Sequence, residues 1–163
     1  MEVQQISFQS KPLNYAILDT SVSRSAQPQK ENFVWLKDQG VTDIINFRTL
    51  KDASDLNFDE SDFVKSLGMN YHRIPSVSKS PEEKSVFKFL DLVDNLIDKD
   101  ARIHIHCRHG ADRTGLYSFI YKSFKNIGSP AENIDEWIAR GLNLEKYPDL
   151  ISWGVNFVRK YKK

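Results

Sequence analysis

Cysteine is nearly absent: Cys107 is the single one among 163 residues. No internal disulfide can form, so the chain fits a reducing compartment. Apolar runs long enough to span a bilayer are missing as well. The opening MEVQQISFQS has no basic start followed by an apolar stretch, so no secretory leader is legible, and a cytoplasmic protein is expected. An excess of one charge is also lacking. The 23 Lys and Arg residues nearly balance 22 Asp and Glu residues. A long nucleic-acid footprint would need a larger basic excess, so nucleic acid is not an expected partner. No Gly-Lys pair occurs, which excludes a Walker-type nucleotide loop. Repeats, low-complexity stretches and long Gly/Ser linkers are absent too, so residues 1–163 read as one domain with its core from about residue 14 to 161.

The charge that is present is local. Asp52, Asp55, Asp59, Glu60 and Asp62 form an acidic cluster, and Arg159, Lys160, Lys162 and Lys163 make the C-terminal tail basic. Both read as solvated surface.

Short apolar or β-branched runs alternate with helical patterns. Strands are expected at Val22-Ser23-Arg24, 41–47, 71–74 and 102–106, and helices over 30–40, 59–67, 113–127, 131–140 and 150–161. Ser80-Pro81-Glu82-Glu83 reads as a helix start, with Ser80 as cap and Pro81 in the first turn. The stripe Val86, Phe89, Leu90, Val93 and Ile97 then has helical spacing and reads as core. This alternation predicts a three-layer α/β fold whose central, mostly parallel sheet of four or five strands is flanked by helices. In such folds ligands sit beyond the carboxyl ends of the strands, and Cys107 lies at one of them.

The chemistry concentrates in His106-Cys107-Arg108-His109-Gly110-Ala111-Asp112-Arg113-Thr114-Gly115. A strand enters this segment and a helix leaves it. A loop there can curl so that successive N–H groups from Arg108 to Arg113 point inward, forming an anion nest at a helix N-terminus. Gly110 supplies the backbone freedom that the curl needs. Five residues separate Cys107 from Arg113, a loop length that can bring thiolate and guanidinium to one anion. The Arg113 fork can grip two phosphate oxygens at once. Inward N–H groups, a helix terminus and a guanidinium all favour a thiolate, the nucleophilic form of cysteine. His106 can brace the loop, and Thr114 can donate a hydrogen bond to the departing sulfur.

This segment resembles the signature of the protein tyrosine phosphatase superfamily, which reads His-Cys, five residues, Arg, then Ser or Thr. The short chain is similar to its compact dual-specificity branch. Ser23-Arg24-Ser25-Ala26-Gln27-Pro28 and Ile44-Ile45-Asn46-Phe47-Arg48 resemble segments of small bacterial and fungal members. The resemblance implies a dual-specificity-like fold and hydrolysis of phosphomonoesters through a phosphocysteine on Cys107. It implies no metal and no organic cofactor. Phosphotyrosine-bearing proteins are the first substrate class it suggests, and phosphoinositides or inositol phosphates the second. It says nothing of oligomeric state.

One element of the family pattern is missing. Relatives carry a general-acid Asp on the loop that corresponds here to residues 74–81, which hold no carboxylate. Glu82 and Glu83 follow but read as first-turn helix residues. Asp112 is the candidate acid, because Asp-Arg-Thr at this place resembles the myotubularin and Sac-type phosphoinositide phosphatases. Its structural alternative is to cap the next helix or brace Arg113. A leaving group of low pKa would need no acid, and His109 gives the segment the look of the superfamily's RNA 5′-triphosphatases. Arg108 and His109 would ring the pocket mouth with positive charge, which suits an anion-rich substrate.

Other classes remain in view. A phosphate-reading module without turnover would keep the same loop, and a rhodanese-like sulfur transferase would also carry a loop cysteine. A metal site built from His104, His106, Cys107 and His109 would need convergence that a curled loop does not give.

Overall fold

The computed structural model describes residues 10–163. A five-stranded sheet runs in the order β1-β2-β5-β3-β4, with β1 at Ala16–Ile17, β2 at Val22–Ser25, β3 at Asp43–Asn46, β4 at Asn70–Arg73 and β5 at Ile103–His106. Only β1 is antiparallel to its neighbour. Among the described residues there are six α-helices: α1 (Lys30–Asp38), α2 (Glu60–Ser66), α3 (Glu83–Ile97), α4 (Arg113–Phe124), α5 (Pro130–Ala139) and α6 (Leu150–Tyr161). A short 3-10 turn covers Asp52–Asp55.

Side-chain alternation along β3 builds two cores. Ile44 points to a cluster with Phe33 and Leu36 of α1 and Val64 of α2, whereas Ile45 points to one with Phe89, Ile120, Trp137 and Phe157 of α3 to α6. Helices therefore cover both faces of the sheet, the three-layer arrangement that the alternating pattern implies. No helix among the described residues is long and apolar enough to cross a membrane.

Two details depart from the sequence reading. Helix α3 begins at Glu83 with Glu82 as its N-cap, so Ser80 does not cap it and Pro81 lies outside it. The Ser80 N–H donates instead to Val77 O at 3.2 Å, closing a turn that delays the helix. Strand β1 was not anticipated: two residues are too few to show alternation, and its existence depends on pairing with Ser23 and Arg24.

Central strand β5 lies between β2 and β3, and its polar residues are paired. His104 is fully buried with Nδ1 2.7 Å from Ser23 Oγ and Nε2 2.7 Å from Ser25 Oγ. Ser25 Oγ gives its own proton to Ala26 O at 2.7 Å, so it accepts from Nε2–H, and Nδ1 accepts from Ser23. Burial, with the charge of His106 as a smaller cause, pushes the His104 imidazolium well below the usual histidine range. The ring is a neutral structural group.

Candidate active site

The loop from Cys107 to Asp112 leaves β5 and enters α4, whose first residue is Arg113. Its carbonyls are held from several directions. Cys107 O lies 3.3 Å from His106 Nδ1, and Arg108 O accepts from Gln27 N at 3.0 Å. Asn14 Nδ2 reaches His109 O at 3.3 Å and Gly110 O at 3.2 Å. Arg24 Nη2 donates to Gly110 O at 2.7 Å, and Trp137 Nε1 donates to Ala111 O at 3.1 Å. A trans peptide points its C=O and the following N–H in opposite directions. Fixing these five carbonyls outward therefore aims the N–H groups of residues 108–112 to the other side, into the curl. None of those N–H groups meets a protein acceptor among the described residues. A curl of inward N–H groups with α4 starting at its rim has the form of an anion nest.

Gly110 is indispensable to that curl for two reasons. Its φ is +71°, and a Cβ there would lie 2.5 Å from Ser25 C and 2.5 Å from Ala26 N. The loop thus rests directly on the backbone at the exit of β2.

Cys107 is 2% exposed, with one side packed on the main core. The charge of Arg24 couples to it. Burial lowers the Arg24 guanidinium to about 10, against the opposing pull of Glu136 and Cys107. The partner of His106 is Glu60: Nε2 lies 2.7 Å from Glu60 Oε2, fully buried. Glu60 also accepts from Gln27 Nε2 at 2.7 Å. Burial would raise the Glu60 carboxyl, but His106 and Gln27 together leave it below its ordinary value. The reading of Glu60 as solvated surface is therefore corrected. The first turn of α2 carries it inward, where His106 and Gln27 satisfy both of its oxygens.

Over the loop opens a cleft of about 370 Å³, walled by Thr49, Asp52, residues 76–78, Arg108, His109, Asp112, Arg113, Asn143, Lys146 and Tyr147. A larger cleft of about 660 Å³ lies at the other end of the sheet, by Val22, Arg102 and Ile103. It lies away from the cysteine and the anion nest, so the smaller cleft is the chemically equipped one.

Asp52, also taken from sequence for a solvated residue, stands in this wall. Its Oδ2 lies 2.6 Å from Arg113 Nη1, and Arg113 Nη1 also reaches Ser76 O at 3.4 Å. Arg48 sets this up. It is 1% exposed and donates to Asp52 O at 2.5 Å, Asp55 Oδ1 at 2.7 Å and Gln27 Oε1 at 2.9 Å. Burial pushes the Asp52 carboxyl up, but hydrogen bonds from Arg113 and Arg48 outweigh it and hold the group below the usual range.

The remaining predicted residues fall as follows. Asp112 occupies the N-cap position of α4 without capping it, and its Oδ1 accepts from Asn143 N at 2.9 Å, which ties down the loop carrying Lys146 and Tyr147. Thr114 Oγ1 is buried with no hydrogen-bond partner. Arg108 is half exposed, with Nη1 4.0 Å from Asp52 and Nη2 3.8 Å from Asp55. His109 is exposed at the mouth. Serines hold both His104 nitrogens and Glu60 holds His106, so neither ring is free to ligate a metal.

Comparison with known proteins fits this geometry. No curated protein sequence matches the chain. A DUF442 protein of Shewanella putrefaciens CN-32 superposes with a TM-score of 0.76 at 21% identity, covering 96% of this chain and 98% of that one. TpbA of P. aeruginosa gives 0.70 at 17%, covering 91% and 84%. The catalytic domain of the PP-IP phosphatase SIW14 of S. cerevisiae gives 0.68 at 20%, covering 92% and 93%. At such identities these structures speak for the fold. The family Tc-R-P, described as "Polymorphic toxin system, DSP-PTPase phosphatase", matches residues 19–122, from the turn before β2 through most of α4 and with the whole anion nest inside. With that match across well over half of its length, the chain belongs to the DSP-PTPase phosphatase family of polymorphic toxin systems.

Proposed function

We propose that this phosphatase hydrolyses phosphomonoesters through a phosphocysteine on Cys107, with protein phosphotyrosine as its substrate class. The observation that carries the reading is the ring of inward N–H groups from residues 108–112, fixed by the five outward-held carbonyls. Such a ring binds a phosphate dianion and stabilises charge on its equatorial oxygens during transfer. Arg113 adds a planar fork to the same oxygens once it exchanges Asp52 for phosphate. Thr114, buried and unpartnered, is one residue into α4 and can donate to the sulfur as it leaves phosphorus. Protonation of the leaving oxygen falls to a carboxylate of the cleft wall, where Asp112 and Asp52 both stand.

Support for a phosphotyrosine side chain comes from the rim. Leu50, Val77 and Leu144 are 77%, 50% and 45% exposed, beside the cleft residues Thr49, Ser76 and Asn143. Tyr147 adds an aromatic wall. Apolar groups on a rim suit a ring and a polypeptide better than a sugar-like polyol. A second reading, an inositol phosphate, is favoured by the cations Arg108, His109 and Lys146 around the same mouth.

Cys107→Ser tests the core of the proposal. It should abolish release of phosphate from p-nitrophenyl phosphate while phosphate still binds. Retained turnover would remove Cys107 as nucleophile. Wild-type protein that binds phosphopeptides yet releases no phosphate would be a reader instead of an enzyme. Ranking phosphotyrosine peptides against inositol phosphates by kcat/KM decides between the two substrate classes.

A further inference from the structure

The loop at residues 74–81, which presents no carboxylate, faces the cleft with Ser76 O and Val77. A carboxylate does reach the phosphate-gripping arginine, but from a different element: the 3-10 turn after β3. We propose that Asp52 is the proton donor to the leaving oxygen, and that its ion pair with Arg113 is the resting state that substrate opens. This rests on the phosphatase reading above.

The geometry supports it on three counts. Asp52 Oδ2 is 2.6 Å from Arg113 Nη1, and a phosphate oxygen held by that guanidinium sits about 2.8 Å from its nitrogen, so carboxylate and phosphate come within ~5 Å of one another. The turn carrying Asp52 is rigidly anchored. Arg48 holds Asp52 O and Asp55 Oδ1, Thr49 Oγ1 accepts from Asp52 N at 3.1 Å, and Arg73 Nη1 donates to Arg48 O. A proton donor must be held this way, because proton transfer needs a fixed heavy-atom approach. Finally, Asp112 is less available, since its Oδ1 is committed to Asn143 N.

Substrate binding changes the surroundings of Asp52 in the direction that an acid requires. In the resting state Arg113, Arg48 and Arg108 face it from three elements and favour the carboxylate. Asp112, His109 and Lys146 line the same cleft. An arriving dianion takes over Arg113 and sets negative charge beside Asp52, and both changes favour the protonated form. As the S–P bond forms and the P–O bond breaks, Asp52 gives its proton to the leaving oxygen, producing the alcohol, phosphocysteine and Asp52 carboxylate. Water then attacks phosphorus, Asp52 takes back a proton, and phosphate and the Cys107 thiolate are released.

The test compares Asp52→Asn with Asp112→Asn and Cys107→Ser on two aryl phosphates. General-acid catalysis is worth roughly 10²–10⁴-fold where the leaving group is poor. Asp52→Asn should therefore lose about that much on phenyl phosphate and at least tenfold less on p-nitrophenyl phosphate, whose leaving group is acidic. It should also lose the high-pH limb of the kcat profile, which reports deprotonation of the acid, and Asp52→Glu should recover part of the rate. The residual turnover of p-nitrophenyl phosphate reports that the variant is folded. Equal losses on both substrates, a rate gain from breaking the ion pair, or leaving-group dependence shown by Asp112→Asn instead would each overturn the assignment. Those results would leave the phosphatase reading standing, whereas turnover by Cys107→Ser would remove that reading itself.

Discussion

Substituting Gly110 by alanine separates two ways in which one residue shapes the anion nest. At φ +71° an L side chain crowds its own backbone, at a cost of about 1–2 kcal/mol. The added Cβ would also meet Ser25 C and Ala26 N at 2.5 Å, and those are backbone atoms at the end of β2 that cannot rotate away. Overpacking of this kind costs about 1–3 kcal/mol. The sum centres near 3.5 kcal/mol, or roughly 7–14 °C in melting temperature for a domain of this size. Gly68 supplies the control: its φ is +85°, but a Cβ there would meet only Lys37 Nζ at 3.8 Å. Thermal unfolding of Gly110→Ala and Gly68→Ala should show the first clearly more destabilised, by the part due to the clash. Turnover of p-nitrophenyl phosphate should fall in the Gly110 variant alone, because relieving the clash lifts the loop off β2. Equal melting points, or full activity in Gly110→Ala, would refute the claim that the nest depends on this seat.

Two further outcomes follow from groups beneath the loop. Arg24→Lys keeps a charge but cannot span Gly110 O and Glu136 together, so kcat should fall by about 10–100-fold with the fold retained, as for a misplaced loop; unchanged kcat would mean that Arg24 merely fills space. His104 has a folded pKa below its unfolded value, so its contribution is complete above about pH 6.5 and is lost as pH falls, with a slope approaching 1.4 kcal/mol per pH unit. Urea unfolding between pH 7 and 5 should show this slope in the wild type and a shallower one in His104→Gln; parallel curves would disprove it.

Four of the five strands, all six helices and the loop after β5 could be read from the sequence because their signals are local. The apolar stripe of α3 and the run His106 to Gly115 each lie within one short window. What stayed hidden depends on partners far away in the chain. Arg24 and Arg48 lay in segments whose resemblance was visible, but their tasks appear only when β2 and β3 bring them against Gly110 O and the 52–55 turn. Asp52 and Glu60 looked alike, two acidic residues in one charged cluster. The fold sends one to Arg113 and the other to His106, across separations of 61 and 46 residues that no periodicity records. Trp137 lies in the helix expected over 131–140. Only packing against Gly115, where a Cβ would lie 2.1 Å from its Nε1, shows why its indole reaches Ala111 O.

The position of β5 has a consequence for how the protein comes into being. The strand that delivers Cys107 is the last of the five to be synthesised, yet it fills the middle of the sheet, with β2 on one side and β3 on the other. Until residue 106 has left the ribosome, β2 and β3 have no shared neighbour, and what exists is two unjoined halves. A chain that stops short of β5 therefore lacks both the strand that joins the two halves and the cysteine that follows it.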